Sequence, residues 1–145
     1  MNFVDKDLLS VQEARILMER AAQAKEALAA FPQEKLDRIA AAMLEAARER
    51  LSQLARLSAE ETGYGNWRDK YIKDRFVCEA LETRLAGRRF VGVLEEDPGA
   101  GIARIGVPLG VIVAPMPAFG PVAAVISAAV LAVKSGNAID RKSVV

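Results

Sequence analysis

The chain has 145 residues, room for one domain with a sizeable core, and its 20 basic and 19 acidic residues leave a formal net charge of +1. It contains no histidine and one cysteine, Cys78, which excludes a disulfide framework, a Cys/His zinc site and a Ser-His-Asp triad within these residues. Its basic residues are scattered along helical stretches, with Arg88 and Arg89 the densest pair, so no field or stripe draws in nucleic acid.

The residues after Met1 are polar and have no signal-peptide pattern, so a cytoplasmic location is expected. A capping box at Ser10–Glu13 predicts the start of a first helix. Val11, Ala14, Met18, Ala21 and Leu28 would form its buried stripe, ending before Pro32. Pro32 is a good first-turn residue for a second helix. Leu36, Ile39, Ala40, Met43, Ala47, Leu51, Leu54 and Ala55 repeat there at three and four. Thr62–Asn66, with glycines at 63 and 65, predicts a left-handed helix stop. A third helix is expected from about Trp67 to Ala86, burying Tyr71, Phe76, Ala80 and Leu81.

The period then changes from helical to alternating. Phe90–Leu94 and Ile102–Ile105 read as a hairpin turning at Asp97–Ala100. Leu109–Ala114 is wholly apolar, as in a parallel strand covered on both faces. A helix follows from Pro121, and a strand begins at Asn137, completing a βαβ unit. The expected fold class is therefore α/β: N-terminal helices and a β-hairpin, then the start of a parallel sheet.

Ile105–Val133 carries no charge, which is long enough to raise a membrane span. Pro108, Pro115, Pro117 and Pro121 interrupt its first half, and Val122–Val133 reaches only about 18 Å as a helix. A buried helix is the better reading, and no membrane partner is expected.

Chemistry is sparse. Gly106, Gly110 and Gly120 fit neither the G-x-G-x-x-G nor the Walker spacing. Composition leaves Pro115–Pro121 open, either as a ligand loop or as a plain strand-to-helix turn. Cys78 sits mid-helix beside Glu79, where an apolar setting and a negative neighbour raise a thiol pKa, so a structural role is expected. Glu60 with Glu61, and Glu95, Glu96 and Asp97, read as solvated carboxylates, and no metal site is expected from them.

Three stretches carry a family likeness. Glu60–Gly65 (EETGYG) with Asp69, Lys70 and Lys73 is one, and Val91–Asp97 (VGVLEED) is another. The third comprises Ile105–Pro108, Gly110, Val111 and Lys134–Ile139. Together they resemble the amino-terminal part of aldehyde dehydrogenases, in the CoA-acylating branch that includes the aldehyde half of aldehyde-alcohol dehydrogenases. The resemblance spans Val11 to Ile139. It implies residues 1–139 as an incomplete, Rossmann-like NAD(P)-binding domain that lacks the glycine fingerprint. It also implies that Pro115, Met116, Pro117 and Ala118 approach the nicotinamide end of the cofactor. The implied reaction is thiolate attack on a small-molecule aldehyde, hydride transfer to nicotinamide, and acyl release to coenzyme A. A homo-oligomer is implied for the full-length product.

Two departures stand out. The family places asparagine before the helix-starting proline, where its amide helps hold the oxyanion, whereas this chain has Gly120. The family's catalytic cysteine lies beyond Val145, so the chain holds no catalytic nucleophile and is expected to be inactive alone. The resemblance ends at Ile139. Residues 140–145 can be encoded by GAT-CGG-AAG-AGC-GTC-GTG, which matches a common sequencing adaptor; a non-native tail on a truncated segment is expected, the alternative being a natural short tail. The alternatives are a non-acylating aldehyde dehydrogenase and a noncatalytic interaction module of the same fold.

Overall fold

A computed structural model describes residues 5–143. Helix α1 spans Lys6–Ala29, α2 Gln33–Thr62 and α3 Trp67–Leu85. Strands β1 (Gly92–Asp97) and β2 (Ile102–Gly106) pair antiparallel. Strand β3 (Val111–Met116), helix α4 (Pro121–Lys134) and strand β4 (Ala138–Ser143) follow, with β3 and β4 parallel. The α/β class and the element order match the sequence reading.

The core lies where α2, α3 and α4 meet. Ala40, Leu44 and Leu51 of α2 enclose Cys78 of α3 with Ile126 and Val130 of α4. The three-and-four spacing on α2 turns Leu36, Ala40, Leu44, Leu51 and Ala55 inward, while its charged residues stay outside. Gly63 ends α2 at φ 67°, and Asn66 caps α3 by accepting from the Asp69 N–H at 3.0 Å. Helix α4 contacts both the sheet and the α2–α3 pair, so it forms the layer between them.

The close of α4 fixes the parallel sheet. The Gly136 N–H donates to Val133 O and the Asn137 N–H to Ala132 O, the paired bonds of a Schellman stop. Gly136 has φ 72°, and a Cβ there would meet Pro108 Cγ at 2.9 Å, so both backbone and space require glycine. Buried Asn137 then accepts from the Gly110 N–H at 2.8 Å, setting the register in which Val111 pairs with Ala138. Gln33, also buried, accepts from the Phe90 and Val91 N–H groups and donates to Asp37 and Lys134 O. One amide thereby joins α2, the hairpin base and the end of α4.

Several local expectations need correction. Asp5, not Ser10, caps α1, by accepting from the Asp7 and Leu8 N–H groups. An exposed Asp at the N-cap outcompetes Ser10 because it starts the helix a full turn earlier. Val11, Ala14 and Met18 are exposed and only Ala21 of that stripe is buried, because α1 contacts the sheet rather than the main core. Phe76 is 64% exposed. The buried face of α3 instead runs through Lys70, Asp74 and Cys78 at every fourth residue. The hairpin strand begins at Gly92 and continues through Asp97, with the turn at 98–101. Its alternation does not bury one face: most of both strands is exposed. Strand β3 runs two residues later than expected and is not covered on both faces, since Val113 is 56% exposed. Among the described residues β3 has a strand neighbour on one edge alone. Residues 140–143 extend β4 by backbone pairing with Val113–Met116.

Candidate active-site loop

The βαβ topology places the β3–α4 connection at the C-terminal end of a parallel strand, the position where open α/β sheets receive ligands. Pro115 and Met116 are the last residues of β3, Pro117 and Ala118 make the bend, and Gly120 is the N-cap of α4. Met116 is buried, Pro117 half-buried, and Pro115 and Ala118 exposed. The loop therefore presents small apolar surface and backbone, with no ionisable side chain of its own. Pro121 at the first helical position removes an N–H that would lack a partner anyway.

Helix α3 supplies the missing charge. Lys70, Lys73 and Asp74, spaced so that they share one helix face, meet the loop and the first turn of α4. The Lys70 ammonium donates to Ser58 Oγ and to Phe119 O, each at 3.2 Å. It is only 7% exposed, so a buried cation ties α2 and α3 to the loop backbone. Asp74 is 1% exposed, and its Oδ1 has no hydrogen-bond partner. Burial pushes its carboxyl pKa up, opposed by the Lys73 and Lys70 charges and by the Ala123 N–H of α4. Gly120 offers α4 no side-chain cap.

Lys73 Nζ lies 3.8 Å from Asp74 Oδ1, beyond hydrogen-bond distance, and 3.1 Å from where a Cβ on Gly120 would stand. An open pocket of about 360 Å³ borders it, lined among others by Tyr64, Asn66, Lys70, Lys73 and Phe119. Sequence reasoning placed Lys70 and Lys73 within a family signature but gave them no role, and it missed Ser58 and Asp74. The available signal was a row of Lys70, Asp74 and Cys78 at buried-face spacing, which a hydrophobic-stripe criterion discards. Cys78 is apart from the loop, in the core. Burial pushes its thiol pKa up, with the Arg48 charge opposing.

Among the described residues no group of three or more acidic, His or Cys side chains is placed to hold a metal. No described helix is long and apolar enough to cross a membrane.

No family model matches the chain. The bifunctional aldehyde-alcohol dehydrogenase of Escherichia coli K12 is 33% identical over 130 residues, 90% of this chain and 15% of that protein. Sulfoacetaldehyde dehydrogenase (acylating) of Cupriavidus necator is 38% identical over 124 residues, 83% of this chain and 25% of its own length. In structure, a probable aldehyde dehydrogenase from Listeria monocytogenes superposes with a TM-score of 0.93 at 35% identity. That match covers 97% of this chain and 31% of the other. The chain thus spans less than a third of each of these relatives.

Proposed function

The chain belongs to the acylating aldehyde dehydrogenases and corresponds to an N-terminal segment of them; on that premise, we propose that the whole protein oxidises a small aldehyde to an acyl-CoA, or runs the reverse reaction, with NAD(P). The near-complete superposition, which takes in the β3–loop–α4–β4 unit, carries this reading. The thiol nucleophile would come from outside this segment, so the 145 residues alone are expected to be inactive.

The loop chemistry suits one end of the cofactor. Pro115, Met116, Pro117 and Ala118 offer an uncharged, apolar ledge with accessible backbone, suited to a nicotinamide ring. The first turn of α4 carries no glycine fingerprint for a pyrophosphate. The dinucleotide phosphates would therefore bind elsewhere. When bound, the cofactor supplies the hydride acceptor, and coenzyme A supplies the acceptor thiol. The residues of this segment shape the ledge and hold it in place through Lys70. A cytoplasmic homo-oligomer without nucleic-acid or membrane partners completes the reading.

The test is the full-length open reading frame assayed for NAD(P)H formation from aldehydes with and without coenzyme A. CoA-dependent turnover yielding a thioester supports the proposal. Turnover that ignores coenzyme A would establish the non-acylating alternative, and none at all would sink the enzyme reading.

A further inference from the structure

We propose that Lys73 is the side-chain donor that meets the negative oxygen formed on the substrate at the start of α4, in the space that Gly120 leaves empty. The proposal rests on the acylating dehydrogenase reading above. Addition of a thiolate to an aldehyde forms a C–S bond and moves the carbonyl π pair onto oxygen. That oxygen stays negative until hydride leaves the same carbon for the nicotinamide and the C=O bond re-forms as a thioester. A donor aimed at the oxygen lowers the barrier, and the proton remains on the donor throughout.

Gly120 itself cannot donate from a side chain, and its backbone does not explain the choice of glycine. Its φ is −149°, a value any residue adopts. What a side chain there would meet is the Lys73 ammonium, 3.1 Å from the Cβ position. A side chain at 120 would press on the flexible end of Lys73, so glycine there leaves the ammonium its room at the start of α4. Among the described residues Lys73 Nζ makes no hydrogen bond, and its one ion pair is the 3.8 Å approach to Asp74 Oδ1. Its donors are unspent, unlike those of Lys70, which Ser58 and Phe119 occupy. Lys73 is also 44% exposed at its side chain and borders the open pocket, so a small molecule can reach it. Asp74 keeps the ammonium near the positive end of α4, which it would otherwise avoid.

The experiment uses the full-length enzyme with Lys73→Met, Gly120→Asn and the two combined. Lys73→Met is expected to lower kcat about 10²-fold, as loss of an oxyanion donor does, while NAD(P)H binding by fluorescence stays at the parental value and the variant still unfolds cooperatively. The double variant restores an amide donor in the vacated space and is expected to recover most of the lost rate. Parental activity in Lys73→Met overturns the proposal. So does a double variant as slow as Lys73→Met that still binds NAD(P)H and melts normally, because the lysine then does something an amide cannot. A parent enzyme that binds NAD(P)H but forms no acyl-CoA overturns the functional reading itself, and this inference with it.

Discussion

The α2–α3–α4 body and the β1–β2 hairpin both carry aliphatic residues at regular spacing, yet only the body closes over them. Leu36 and Leu51 are almost wholly buried, whereas Ile102 and Ile105 lie mostly open. The difference is one of partners. Three helices present stripes to one another, while the hairpin presents two faces and finds a neighbour for neither among the described residues. Periodicity reports which side of an element is apolar, not whether anything covers it.

The contrast can be broken most forcefully in the body. Leu51→Ala removes a buried side chain between helices that cannot collapse freely, and should cost about 2–5 kcal/mol in chemical denaturation. A loss under 1 kcal/mol would show that the three-helix core is loosely packed. Asn137→Ala leaves the Gly110 N–H buried without its acceptor and is expected to cost about 1–3 kcal/mol. Hydrogen exchange should then quicken first at β3 and β4.

Asp74→Asn sharpens the comparison from the charge side. The folded-state pKa of Asp74 lies above its ordinary 3.8, so the folded protein holds this proton more tightly than the unfolded chain. The resulting destabilisation is absent below about pH 3.8, grows as pH rises through the folded value, and is complete above it. Asp74→Asn should therefore raise the melting temperature at neutral pH, with the gain vanishing in acid. A gain that persists at pH 3 would point to a cause other than charge burial.

The smallest effect belongs to the hairpin. Ile105→Ser should change stability by no more than about 0.5 kcal/mol, since the side chain is already exposed. Light scattering of the isolated chain should fall, because the open apolar faces drive self-association. Equal costs for Ile105→Ser and Leu51→Ala would erase the distinction between the two regions.

The sequence alone determined the element order, the α2 stripe, the glycine stop at 63 and the helix start at Pro121, because these follow from local backbone preference and short-range spacing. It also carried the family likeness, and it located Pro115–Ala118 as a connection worth attention. Tertiary structure decided the rest. Phe76 points outward and Asp74 inward because α4 arrives against one side of α3, a fact no periodicity of α3 contains. The polar cluster of Ser58, Lys70, Lys73 and Asp74 around the loop joins residues up to 62 positions from Gly120 in sequence. Buried charge is tolerable only where partners from other elements converge, so its place is settled by packing and not by the segment that carries it.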